Sequence, residues 1–130
     1  MIAALGAQLG FKLEPCRFTI ADGATVEVDG YSADPPVLVE AWAHQGPPKG
    51  GQRNKVLADA LKLQLVAASL DPRPRRLLCF ADDAAARPFI HPSRTWYAQA
   101  LRDTGVEVVV IDLAVDLRAE IREAQVRQYR

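Results

Sequence analysis

The segment VEVDGYSADPPVLVEAWAH, residues 26–44, constrains the fold more than any other part of the chain. Polar and apolar residues alternate on both sides of SADPP, which predicts two strands, and Pro35 and Pro36 favour a turn between them. Each strand also carries an acid, Asp29 in the first and Glu40 in the second. Like charges opposite each other in a sheet are destabilising, so this pair needs an explanation.

Alternation also predicts how the two strands pair. One face should carry an apolar set formed by Val26, Val28, Val37, Val39, Ala41 and Ala43. With a four-residue loop at positions 33–36, matching these apolar positions places Asp29 directly across from Glu40. Opposed side chains have Cβ atoms about 4.5–5.5 Å apart, so both carboxylates could bind one hard cation such as Mg²⁺. The hairpin therefore predicts a metal site.

The remaining segments predict the order α-β-β-β-α-β-α-β-α. Strands joined through helices tend to be parallel, so we expect an α/β fold with a mixed central sheet and helices on both faces. A short helix precedes the first strand, Ser93 is a candidate N-cap, and Gly105 ends the following helix. The predicted strands are 16–21, 25–31, 37–43, 75–81 and 106–113, the long central helix is 52–70, and an amphipathic helix closes the chain at 115–130.

Composition fits one globular domain spanning residues 1–130. Sixteen basic and sixteen acidic residues cancel, so a polyanionic partner would need a local basic patch. Cys16 and Cys79 have no metal-binding spacing and predict buried, reduced thiols. The N-terminal MIAALGAQLGF has no basic start and is too short to span a membrane. We therefore expect a cytoplasmic protein that does not enter the membrane.

The order αβββαβ, an acid on the second strand and another about ten residues later resemble the PD-(D/E)XK phosphodiesterase superfamily over residues 13–112. The resemblance implies that Asp29 and Glu40 are the two metal-binding acids. The family's lysine, two residues after the second acid, falls on Trp42. In some members the following helix supplies this lysine, which makes Lys55 the natural substitute. Lys55 belongs to a polar stripe predicted to lie opposite the apolar face of the helix, formed by Gln52, Lys55, Asp59 and Lys62.

The resemblance implies a nuclease dependent on Mg²⁺ or Mn²⁺ that hydrolyses phosphodiesters, with DNA as the expected substrate. Because one domain of this size offers little surface to span a duplex and two scissions require two sites, we also expect a homodimer. We expect Gln52, Lys49 and His44 to contact the substrate. Two alternatives remain open. One is a catalytically inactive relative that binds nucleic acid or a protein. The other is a small interaction domain in which the acids have no function.

Overall fold

The computed structural model describes residues 1–128, so positions 129 and 130 of the predicted last helix lie outside the described residues. The strands are β1 (Glu14–Thr19), β2 (Thr25–Ala33), β3 (Pro36–Trp42), β4 (Arg75–Phe80) and β5 (Val106–Val110). The helices are α1 (Ile2–Leu9), α2 (Gly50–Ala68), α3 (Asp83–Ala86), α4 (Trp96–Thr104) and α5 (Val115–Gln128), with a 3₁₀ turn at Arg87–Phe89. Within residues 1–128, no helix combines the length and the apolarity needed to cross a bilayer.

The five strands form one sheet in the order β1-β2-β3-β4-β5. The first three pair antiparallel, because short turns join them. The β3–β4 and β4–β5 pairs are parallel, because helices provide the connections. The predicted mixed α/β fold is confirmed.

Helices cover both faces of this sheet. On one face, α2 and α4 pack in a cluster with Leu38, Leu78 and Phe80. On the other face, Leu5 of α1 packs in a second cluster with Val39. The sheet is thus buried on both sides over its central strands, as expected where parallel strands are present.

The β2–β3 hairpin has the predicted register but a tighter turn. Ala33 pairs with Pro36, so only two residues connect the strands instead of the four expected. The last paired residues before the acids are Gly30 and Val39, and Asp29 and Glu40 follow them along the two strands. The turn chemistry and the alternation were sufficient to predict this register.

A β-bulge in β2 overturns the predicted single apolar face. Glu14 and Cys16 of β1 pair with Tyr31 and Val28, so one residue of β1, Pro15, faces two residues of β2. Val28 consequently packs in the same cluster as Leu38, whereas Val39 packs on the opposite face. The apolar set predicted from alternation is therefore divided between the two faces.

The start of α4 also differs from the prediction. Thr95, and not Ser93, caps this helix, because the Thr95 hydroxyl accepts a hydrogen bond from the Ala98 amide. Ser93 Oγ instead accepts one from the Thr95 amide. Gly105 ends the helix as predicted, with a φ of +75° that favours glycine.

Candidate functional site

The candidate site is built around Glu40, an acid on the middle strand of the sheet. Its relative exposure is 4%. It lies on β3, between strands β2 and β4, which makes it inaccessible to bulk water from either edge of the sheet. A buried carboxylate is costly unless it is paired or protonated, so the neighbours of Glu40 determine its state.

Lys62 of α2 supplies the nearest positive charge. Its Nζ lies 2.7 Å from Glu40 Oε1, so the two side chains form an ion pair. The Lys62 side chain is 31% exposed, so it extends from the edge of the helix inward to the acid. Sequence reasoning placed Lys62 on the polar stripe of this helix but gave it no role.

Asp29 reaches the same position from the bulged part of β2. Its Oδ2 accepts a hydrogen bond of 2.8 Å from the Ala41 amide, the residue that follows Glu40. The Asp29 and Glu40 carboxyl groups also lie within hydrogen-bonding reach of each other. The predicted convergence of these two acids is therefore present, and the Ala41 amide fixes the orientation of Asp29.

The surroundings of Glu40 raise its pKa from 4.5 to about 7. Burial is the largest cause, because it penalises the charged carboxylate. The Lys62 ammonium opposes the shift, whereas the neighbouring Asp29 carboxyl adds to it. Near neutral pH the Asp29–Glu40 pair therefore holds a proton part of the time.

A third acid, Asp59 of α2, borders this pair. Its pKa is raised, mainly by burial, while the charges of Lys62 and Lys55 lower it and that of Asp29 raises it. We call Asp29, Glu40, Asp59 and Lys62 the acid cluster. Sequence reasoning placed the polar stripe of α2 opposite its apolar face, and this is wrong: Asp59 and Lys62 immediately precede the buried Ala60 and Leu63 and so flank the packed face.

The oxygen atoms of the acid cluster suit a hard divalent cation. Mg²⁺ is commonly held by one or two carboxylates, with water and substrate phosphate completing its six positions. Within the described part of the chain, no group of three or more His, Cys, Asp and Glu side chains is arranged to hold a metal ion. Asp29 and Glu40 would therefore supply the two protein ligands.

Lys55, the substitute lysine predicted from the sequence, has a different neighbour. Its ammonium lies 5.8 Å from the centroid of the Trp42 ring, a cation–π distance, and Glu40 interacts instead with Lys62 and Asp29. Trp42 itself is 7% exposed and packs in the core. The position that holds the family's lysine is thus filled by a buried aromatic side chain.

The three residues predicted to contact substrate meet in one cavity of about 850 Å³. His44, Lys49 and Gln52 line it together with Asp82, where the chain leaves the carboxyl ends of β3 and β4. Ligands of α/β sheets commonly bind outside these strand ends. We call this cavity the polar pocket.

Local hydrogen bonds order the polar pocket. Asp82 Oδ2 accepts a hydrogen bond of 2.7 Å from the Gly46 amide and also caps α3 by accepting one from the Ala85 amide. Gln52 Oε1 accepts from the Lys49 amide at 2.9 Å. His44 stacks on Trp42 with ring centroids 4.7 Å apart, and burial together with the charge of Lys55 lowers its pKa. His44 therefore stays neutral down to a lower pH than an ordinary histidine.

Comparison with known proteins yields no relative: no protein family, curated protein or solved structure matches the chain. The function is therefore argued from the acid cluster and the polar pocket.

Proposed function

We propose that this protein is a metal-dependent nuclease of PD-(D/E)XK type that hydrolyses nucleic-acid phosphodiesters, with DNA as its substrate. The observation that carries the proposal is the contact between Lys62 and the Asp29–Glu40 pair. Two acids from neighbouring strands and a lysine from the following helix are the charged groups that the resemblance requires. Here Glu40 interacts with both Lys62 and Asp29, although the strand position of the lysine holds Trp42.

Asp29 and Glu40 would hold Mg²⁺ or Mn²⁺ through their carboxylate oxygens. A cation bound there supplies charge stabilisation to the attacked phosphate and activates water for hydrolysis. Lys62 would contribute a fixed positive charge beside the developing negative charge. Asp59 lies close enough to Lys62 for the ammonium to lower the pKa of the Asp59 carboxyl, against the larger effect of burial.

The polar pocket would contact the substrate beside the scissile phosphate. His44 connects it to the acid cluster, because its ring stacks on Trp42, two residues after Glu40. Lys49 and Gln52 lie at the start of α2, in the same cavity. These groups offer a cation and hydrogen-bonding atoms of the kind that contact phosphates and sugars.

A second candidate function is binding without catalysis, as in an inactive nuclease-fold protein that recognises nucleic acid or a protein. The buried Trp42 at the lysine position favours this candidate. The ion pair of Glu40 with Lys62 also gives the buried acid a partner that requires no metal. The two candidates differ in whether metal binding leads to cleavage.

One experiment separates them. Thermal unfolding is measured in EDTA and with Mn²⁺, and supercoiled plasmid and linear duplex DNA are incubated with Mg²⁺ or Mn²⁺. A nuclease shows an increase of the melting temperature by mass action together with metal-dependent cleavage. The inactive relative shows the increase without cleavage, and a melting temperature unaffected by Mn²⁺ contradicts the metal site.

Two further aspects remain proposals. A two-fold dimer would place two acid clusters on one duplex, and light scattering that finds a monomer at high concentration would contradict it. Cys79 is buried and Cys16 half-buried, and both are free thiols, which is compatible with the proposed cytoplasmic location.

A further inference from the structure

A second cavity, of about 760 Å³, lies beside the polar pocket. It is formed by the start of α2, the segment from α3 through the 3₁₀ turn, and the loop before α4. Its positively charged side chains are Arg53 and Arg87, its acid is Asp83, and His91 also lines it. We call this cavity the arginine pocket.

The two arginines are not held in ion pairs by the described part of the chain. Within residues 1–128, Asp83 is the one acid lining the cavity. The Arg53 guanidinium lies 6.0 Å from the centroid of the Tyr97 ring, and its buried Nε has no hydrogen-bond partner among the described residues. Tyr97 thus supports a guanidinium that still has donors to offer to an anion.

An exposed aromatic side chain lies next to this cavity. Trp96 is 63% exposed and directly follows Thr95, which lines the arginine pocket. The ring of Trp96 packs against that of Tyr97 with centroids 4.3 Å apart and planes inclined at 31°. One face of the indole is therefore supported by the protein while much of the ring meets solvent.

We propose that the arginine pocket and Trp96 together bind single-stranded nucleic acid, with a backbone phosphate on Arg53 and Arg87 and a base stacked on Trp96. Planar guanidinium groups bind phosphate oxygens in pairs, and aromatic rings stack on any base, so this combination requires no particular sequence. The inference deepens the proposed nuclease function, on which it rests, by naming the form of its substrate.

The position of the arginine pocket supports this assignment. It shares Pro47 and Ala84 with the polar pocket, so the two cavities form one surface. Along that surface the cations outnumber the acids, although the whole chain has no net charge: Lys49, Arg53, Arg87 and Arg122 face Asp82 and Asp83. The Asp82 carboxylate already accepts hydrogen bonds from the Gly46 amide and from the Ala85 amide of α3. The joined surface of the two pockets therefore provides the local basic patch that a polyanion requires.

The test uses the full chain in EDTA, where cleavage is suppressed and binding can be measured alone. The probe is a fluorescein-labelled oligo(dT), and anisotropy gives its affinity. We expect Trp96→Ala to weaken binding about tenfold to 100-fold, as the loss of one base–aromatic stack does. Arg87→Ala should weaken binding and reduce the salt dependence by about one phosphate contact.

Arg94→Ala is the matched control, because Arg94 is exposed in the same loop but does not line the pocket. Intrinsic fluorescence gives a second measure, since the chain has two tryptophans and Trp42 is buried. Unlabelled oligo(dT) should quench the emission of Trp96, and Trp96→Phe should remove that quenching while keeping part of the affinity.

The outcomes separate this inference from the proposed function. Oligo(dT) binding that Trp96→Ala and Arg87→Ala weaken, in a protein that never cleaves, supports the inference and contradicts the nuclease. Metal-dependent cleavage by a protein whose Trp96→Ala and Arg87→Ala variants bind oligo(dT) as tightly as Arg94→Ala overturns the inference alone. Equal affinity of the wild type for oligo(dT) and for a blunt duplex, with no quenching, also overturns it.

Discussion

Lys62 Nζ lies 2.7 Å from Glu40 Oε1, and this contact joins the middle of α2 to the middle of the sheet. It gives a buried acid a counter-charge in a protein whose sequence predicts a metal ion at the same place. Lys62 follows Lys55 by seven residues, or two helical turns, so both lysines project from the same side of the helix. Under the proposed nuclease function, this contact makes Lys62 the candidate for the catalytic lysine.

Lys62→Ala should lower the rate of metal-dependent DNA cleavage by about 10²–10³-fold, because it removes a preorganised charge beside the reacting phosphate. Lys62→Arg should restore little, since a planar guanidinium does not replace a compact ammonium. Single-turnover cleavage measures the rate, and calorimetry with Mn²⁺ shows that the metal still binds.

Lys12→Ala is a suitable control, because Lys12 forms an exposed ion pair with Glu14 on the N-terminal part of the chain. The sequence alone favours Lys55, and a direct comparison decides between the two lysines. A slow Lys55→Ala variant beside a fully active Lys62→Ala variant would return the role to Lys55.

Asp29→Asn should abolish the increase of melting temperature caused by Mn²⁺ while the protein stays folded. The asparagine oxygen can still accept the hydrogen bond from the Ala41 amide, so the local backbone keeps its partner. Removing one of two adjacent acids should also stabilise the metal-free protein, by a few tenths to about 1 kcal/mol. Glu27→Gln, an exposed acid on the same strand, is the control. Mn²⁺ affinity equal to that of the wild type would exclude Asp29 as a ligand.

Glu40 makes the stability of the metal-free protein depend on pH. Its pKa is about 7 when folded and 4.5 in the reference state, so the folded form holds the proton more tightly. The associated stabilisation is fully present below pH 4.5 and is lost as the pH rises through about 7. Unfolding in EDTA should show this loss, and Glu40→Gln should reduce it.

Because other acids titrate as well, the informative quantity is the difference between Glu40→Gln and the wild type at each pH. Relative to the wild type, the free energy of unfolding of Glu40→Gln should increase by roughly 1–3 kcal/mol between pH 4.5 and 8. A constant difference over this range would show that Glu40 is not protonated near neutral pH.

The hairpin register followed from the sequence, because alternation and a Pro-rich turn leave few ways to pair residues 26–44. The bulge opposite Glu14 and Cys16 was not predicted, although Pro15 and Gly30, which are residue types that often mark bulges, lie within it. The bulge decides which valines share a face and how Asp29 reaches Glu40. A local pattern therefore predicted the convergence of the acids but not its geometry.

The sequence could not predict which of Lys55 and Lys62 reaches Glu40, for a related reason. Both lie on one polar stripe, and the stripe flanks the buried face of α2. Which lysine reaches Glu40 depends on where along β3 the helix crosses, and that follows from tertiary packing. The sequence did group His44, Lys49 and Gln52 correctly, because all three lie in or beside the short connection between β3 and α2.

Trp42 provides the last prediction, because it occupies the position of the family's lysine. The side chain is 7% exposed, its Nε1 has no hydrogen-bond partner among the described residues, and its ring packs in the core. Trp42→Phe should therefore cost much less stability than Trp42→Ala, for which about 3–5 kcal/mol is typical. Urea unfolding measures both.

Trp42→Lys tests whether the strand position can still accept its family residue. The new ammonium would be buried beside Lys55, whose charge lies 5.8 Å from the present ring, so we expect a marked loss of stability. If Lys62 already provides the catalytic charge, the folded fraction of this variant should cleave DNA no faster than the wild type. A wild type without activity and a Trp42→Lys variant that cleaves in Mg²⁺ would instead identify the chain as a silenced nuclease, in which the acid cluster serves binding alone.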